Sequence, residues 1–261
     1  MARFEEGAML LDDVPPPRFS TEDSPVNWLR ATLPLFAADD GSPVLHRFVR
    51  WAFSLNEGDL LAVSPDAASA DSWRFVSYGR RVWNAADGCL HPWPYVEELL
   101  RLPMAAMEPH GVIRLPDEAL ELRAGSALLR AEVGPQGRAF TLQPLGDRPI
   151  HLERFLQAQY LLPVLKGFRV MLPADMLWVL NLRPGEPLVC KPSLATAEFK
   201  PFELEENLKG RTVVELGTGG LLSLPDSLRV PSALRPNAKV RMKVTLASQV
   251  TFEVTQWVGL D

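Results

Sequence analysis

Cysteine is nearly absent: Cys89 and Cys190 are the two in 261 residues, far apart and at no metal-binding or redox spacing. That excludes a disulfide-stapled scaffold, and both are expected to be reduced, packed thiols. No apolar run approaches the roughly 20 residues needed to cross a bilayer. The first ten residues, MARFEEGAML, lack a basic stretch followed by an apolar core, so a cytoplasmic chain without membrane contact is expected. A positive excess is missing too. With 27 Lys and Arg against 32 Asp and Glu, the formal net charge is −5. This argues against a sequence-independent polyanion binder while leaving room for DNA binding by a local basic patch. Glycine (17) is scarcer than proline (24), which points to many short, punctuated elements and a β-rich chain. The four histidines, His46, His91, His110 and His151, show no i, i+4 pairing and no acidic partner at ligand spacing, so no metal site is expected. No nucleophile elbow, Cys-His neighbourhood or carboxylate pair stands out, and the chain is expected to be a non-enzyme without a cofactor.

What is present is an internal repeat. Gly111 to Val133 reads GVIRLPDEALELRAGSALLRAEV, Gly167 to Cys190 reads GFRVMLPADMLWVLNLRPGEPLVC, and Gly220 to Val244 reads GLLSLPDSLRVPSALRPNAKVRMKV. Each runs through a short apolar strand, Leu-Pro, a stretch of helical spacing, a Gly or Asn turn and a second strand. Leu172 to Gly185 and Leu224 to Asn237 both span 13 positions, whereas Leu115 to Gly125 spans 10. The three missing residues are close to one helical turn. A degenerate first copy, PVLHRFVRWAFSLNEGDLLAV, keeps the 13 positions from Leu45 to Gly58 and has His46 in place of the proline. Pro116, Pro173 and Pro225 are expected at the first helical position, followed by first-turn carboxylates at Asp117, Glu118, Asp175 and Asp226. Gly58, Gly125, Gly185 and Asn237 are residue types that tolerate a left-handed turn. The closing strands SWRFVSY, RAFTLQPL, AEFKPFEL and VTFEVTQW alternate, with Phe140, Leu142, Phe199, Phe202, Val250, Phe252 and Val254 expected inward.

Strand, Leu-Pro, short helix, Gly turn and β-hairpin in that order resemble the swapped-hairpin domain of AbrB-like transition-state regulators and the related MraZ and SpoVT proteins. The last copy carries the resemblance best: VELGTGGLLSLPDSLR, Val214 to Arg229, has the acidic residue, Gly turn, apolar strand, Leu-Pro and an Arg four residues beyond that Pro. The resemblance implies a mainly β fold with short helices, built as tandem swapped-hairpin β-barrels in which the first copy pairs with the second and the third with the fourth. It implies an extended arm over 1–28, a first barrel over 29–150 and a second over 151–261. HPWPYVEELLRL (His91 to Leu102) and HLERFLQAQYLL (His151 to Leu162) read as helices beside or between the barrels.

In the family, arginines flanking the first strand and helix bind DNA. Carried over, Lys166, Arg169, Lys209, Arg211 and Arg229 become candidate contacts to double-stranded DNA, the alternative being solvated charges offset by Glu205, Glu206 and Glu215. The family's Gly-Arg pair before the strand is missing from the first two copies, and the third has Leu177 at the helix arginine. Arg47, Arg50, Arg80 and Arg81 read as a surface cluster. Gly217 to Gly220 reads as a hairpin turn. Trp51, Trp178 and Trp257 read as core, whereas Trp73, Trp83 and Trp93 mark a candidate protein-contact surface. The expected function is a DNA-binding transcription regulator using the C-terminal repeat pair, against the alternative of a protein-interaction scaffold that has lost DNA contacts. A chain that pairs its own repeats is expected to be a monomer or small homo-oligomer.

Overall fold

The computed structural model describes residues 16–19, 24–69, 71–77, 81–84, 89–92, 101–123, 127–134, 137–145, 153–193, 196–202, 208–228, 238–246 and 250–257. Over these the chain is mainly β and divides into two compact units, Arg3–Leu156 and Gln157–Asp261. Among the described residues no helix is long and apolar enough to cross a membrane.

The N-terminal unit opens with a long strand, β1 (Val26–Ala37), then β2 (Pro43–Val44), helix α1 (Arg47–Phe53), and a hairpin of β3 (Leu60–Pro65) and β4 (Trp73–Ser77). A side hairpin, β5 (Arg81–Asn84) with β6 (Cys89–Pro92), follows. The scheme then recurs as β7 (Met104–Met107), β8 (Ile113–Arg114), a 3-10 segment Asp117–Arg123, and a hairpin of β9 (Ala127–Gly134) and β10 (Gly137–Pro144). The strands pair antiparallel in the order β1-β9-β10-β4-β3-β7-β8.

The C-terminal unit repeats the scheme twice. First come β11 (Glu153–Pro163, which begins before the division), β12 (Arg169–Met171), helix α2 (Ala174–Val179), β13 (Pro187–Pro192) and β14 (Thr196–Pro201). Then come β15 (Thr212–Glu215), β16 (Leu221–Ser223), a 3-10 turn Asp226–Leu228, β17 (Lys239–Leu246) and β18 (Val250–Trp257). The order β15-β13-β14-β18-β17-β11 matches β7-β3-β4-β10-β9-β1 strand for strand.

Backbone hydrogen bonds recur as faithfully. Before each short strand the same turn closes through Ala38 N–H to Ser42 O, Glu108 N–H to Val112 O, Leu165 N–H to Arg169 O and Gly217 N–H to Leu221 O, all at 2.7–2.8 Å. Leu45 N–H donates to Gly111 O and Leu172 N–H to Gly220 O, both 2.9 Å. Gly58 N–H donates to Met107 O and Gly185 N–H to Leu216 O.

The core lies between the hairpins and the helices. Ala127, Leu129, Ala131 and Val133 alternate inward along β9. Phe75 stacks on Phe140 at 5.1 Å, and Phe53 of α1 meets Phe140 edge-on at 5.5 Å. Trp51 and Trp178 are buried at matching points of α1 and α2.

Several expectations are corrected. The sheets are not closed barrels: among the described residues β2 is joined to the start of β8 by the isolated bridge Val44–Val112 rather than a ladder, and β12 and β16 form a separate two-stranded sheet. Strands of two or three residues offer too few backbone groups to continue a ladder between turns. HLERFLQAQYLL, read as a helix, contains strand β11; Leu156, Ala158 and Leu162 are buried at even spacing, and that alternation outweighed a loose helical pattern. The segment read as a helix over 91–102 begins as strand at His91 and Pro92, and its residues 93–100 lie outside the described ones. Residues 1–28 are not wholly an arm, since Phe19 and Val26 are buried, Phe19 N–H donates to Asn56 Oδ1 at 2.7 Å, and β1 starts at Val26. The second and fourth copies make 3-10 turns in place of α-helix. Pro173 caps α2 from outside rather than entering its first turn, and His46 takes the same place before α1, its Nδ1 accepting from Phe48 N–H.

The left-handed turns are confirmed at Gly58 (φ +83°) and Gly185 (φ +87°), while Gly125 and Asn237 lie outside the described residues. Two tighter positions were not foreseen. At Gly111 (φ +86°) a Cβ would stand 3.0 Å from Arg50 Cδ and Leu45 O, and at Gly220 (φ +86°) 2.7 Å from Leu177 Cδ1. Replacing Gly111 or Gly220 with alanine is expected to cost about 2–3 kcal/mol, strain and contact combined. Gly58→Ala, with nothing within 4 Å, should cost only about 1 kcal/mol for its backbone. Urea midpoints of the three variants measure the difference.

Candidate functional site

Two basic turns of like construction stand on the C-terminal unit. The first is Lys166-Gly167-Phe168-Arg169, between β11 and β12, with Gly167 at φ +82° and Phe168 at φ +60°. Consecutive left-handed residues reverse the chain sharply, and Arg169 Nε donates to Lys166 O at 3.1 Å. A Cβ at Gly167 would lie 3.4 Å from Arg169 Nε, so glycine leaves the guanidinium room to fold back over the turn. Lys166 is exposed and Arg169 half-buried. The second turn, Leu208-Lys209-Gly210-Arg211, leads into β15; Arg211 N–H donates to Leu208 O at 3.0 Å, and Gly210 has φ +71°. Lys209 is exposed and Arg211 half-buried. The structure thus places four of the five candidate cations on two separate turns, and Arg229 lies outside the described residues.

Charge divides unevenly between the units. The stretch Gln157–Asp261 holds 12 Lys and Arg against 10 Asp and Glu, a formal +2, whereas Arg3–Leu156 holds 15 against 22, a formal −7. The acidic balance of the whole chain therefore belongs to the N-terminal unit.

One arginine was misread. Arg50 stands four residues after His46, as Arg229 stands four after Pro225, a spacing visible once His46 is taken as the proline's substitute. It is not on the surface: it is 4% exposed, with its stem against Gly111 where Leu177 lies against Gly220. Burial lowers its pKa, opposed by the charge of Glu57 and reinforced by that of Arg47. Arg47 is half-buried, its pKa also lowered by burial. Long aliphatic stems let arginine fill an apolar position, so Arg50 packs the unit rather than coating it. Arg80 and the side chain of Arg81 lie outside the described residues.

Trp73 is half-buried, and its Nε1–H donates to Glu121 Oε1 at 2.5 Å. The side chains of Trp83, Trp93 and Trp257 lie outside the described residues.

A polar groove of about 350 Å³ lies on the C-terminal unit, lined by Lys191, Ser193, Thr196, Glu198, Lys243, Thr245 and Glu253. Across its floor runs one cross-strand row, Lys191–Glu198–Glu253–Lys243. Glu198 and Glu253 face each other, a repulsive pairing, and each has a lysine on its other side to offset it. The corresponding row of the N-terminal unit is Ser64–Arg74–Thr141–Arg130, so this charge pattern belongs to one unit alone. Among the described residues no group of three or more His, Cys, Asp or Glu side chains could hold a metal ion.

Cys190 is fully buried in β13, and burial raises its thiol pKa against a side-chain hydrogen bond with Thr212 that lowers it. Thiolate is the reactive form. In a Cys89→Ser background, Cys190 is expected to resist a disulfide reagent at pH 8 in the native state and to react fully in denaturant; rapid native labelling would contradict its burial.

Comparison with known proteins finds no family model, no curated protein and no solved structure that matches the chain.

Proposed function

We propose that the chain is a DNA-binding transcription regulator of the AbrB-like, swapped-hairpin type, contacting duplex DNA through its C-terminal unit. The carrying observation is the pair of turns Lys166–Arg169 and Lys209–Arg211, each holding a lysine and an arginine around a left-handed glycine on the unit of net positive charge. Backbone phosphates are met by such cations, which release condensed counterions on binding. In this reading each unit is a pseudo-dimer in which one repeat lends its hairpin to the next. The registers Phe75–Phe140 and Phe199–Phe252, joining hairpin to hairpin, support that interleaving.

A second reading, a protein-interaction scaffold, is favoured for the N-terminal unit by its −7 charge, which repels a duplex, and by exposed Leu60 and Leu120.

Fluorescence anisotropy of a labelled duplex titrated with the full chain separates the two. Four phosphate contacts predict a log–log salt slope of about −3.6, hence an affinity loss of roughly 100-fold between 50 and 200 mM salt. Arg169→Ala should weaken binding several-fold while the melting temperature moves by no more than about 2–4 °C. Absence of binding at 50 mM salt leaves the scaffold reading.

A further inference from the structure

We propose that the polar groove on the C-terminal unit binds a small diamino dicarboxylate, a molecule with two amino-acid heads, each an ammonium beside a carboxylate, joined by a short chain. The symmetry of the groove carries this. Lys191 and Lys243 follow the turn residues of their own repeats, Gly185 and Asn237, by six positions, and Ser193 and Thr245 follow them by eight. The registers Lys191–Glu198, Glu198–Glu253 and Glu253–Lys243 complete the match. Equivalent side chains of the third and fourth copies therefore line the two halves of the groove. An antiparallel ladder that sets Glu198 opposite its own equivalent has a local two-fold axis between the two carboxylates.

Along this row the charges run positive, negative, negative, positive. Like charges directly opposite destabilise a sheet, and among the described residues none of the four is held in an ion pair with another. The complementary ligand reads negative, positive, positive, negative. Two ammonium groups about 5 Å apart, the strand spacing, would each meet one glutamate, and the carboxylates beyond them would meet Lys191 and Lys243. The volume, about 350 Å³, lies in the range of small-molecule sites, and a lining that is polar throughout disfavours an apolar ligand. Two carboxylates set between two ammonium groups supply too few oxygens for a hard metal ion. The matching row of the N-terminal unit, Ser64–Arg74–Thr141–Arg130, has neither this symmetry nor a carboxylate, so the site belongs to one unit.

Isothermal titration of the full chain without DNA, with 2,6-diaminopimelate as the probe, tests the inference apart from any DNA contact. Exposed ion pairs each contribute little, so a dissociation constant on the order of 0.1–1 mM is expected. L-Lysine, which lacks one carboxylate, should bind roughly three- to fivefold more weakly. Cadaverine, which lacks both, should bind more weakly still, and pimelate, which lacks both ammonium groups, should not bind. Glu198→Gln should weaken binding of the probe by roughly the same factor. Because it removes one of two facing like charges at an exposed position, the melting temperature should hold or rise. No binding at about 10 mM probe overturns the inference, as does cadaverine binding as tightly as the diamino diacid, or an affinity indifferent to Glu198→Gln.

Discussion

A β-hairpin carrying large apolar residues on one face has nothing of its own to lay over them, and its outer backbone groups face water. In each unit that deficit is met by joining the last strands of two hairpins. β4 lies beside β10 with Phe75 opposite Phe140, and β14 lies beside β18 with Phe199 opposite Phe252. The four-stranded surface this makes is wide enough to bury a helix, which is why Phe53 of α1 reaches Phe140. The first strands of the two copies then take the outer positions, β1 pairing with β9 and β7 with β3. Every other element is placed by that central ladder.

Sharp reversals follow from the same arrangement. Between the first strand of each copy and the short one after it, the chain must turn within a few residues, and it does so through left-handed backbone at Gly41, Gly111, Phe168 and Gly220. Two of these glycines also lie directly under a helix side chain: Gly111 takes the stem of Arg50 and Gly220 takes Leu177. An arginine and a leucine thus serve one packing role in two units, which shows that the position requires reach and apolar volume rather than charge. The arginine's head remains a charged group brought into a poorly solvated place, and its pKa falls accordingly.

Duplication has let the two units diverge in charge while keeping one backbone. The cross-strand row that reads Lys–Glu–Glu–Lys in one reads Ser–Arg–Thr–Arg in the other, and their formal charges are +2 and −7. Outward-facing positions on a sheet bear little of the packing load, so they are free to change sign. The short strands diverge as well, since β8 pairs with β7 whereas β16 pairs with β12.

Local grammar could be read along the chain: short strands, Leu-Pro before three of the four helical turns and Leu-His before the other, left-handed Gly58 and Gly185, inward Phe140, Leu142 and Phe199. These depend on contacts and dihedrals within a few residues, which is why they can be read along the chain. The identity of β1, β7 and β11 as strands came from pairing at long range. Each becomes a strand because a hairpin edge from another copy, β9, β3 or β17, is there to pair with it. Likewise the Arg50 spacing was visible, but not its burial, because the Gly111 it packs against lies far along the chain. Closure was also beyond the sequence: whether short strands join into a barrel or stop at a single bridge depends on how far apart the ends of the sheet are held, a distance that no local pattern encodes.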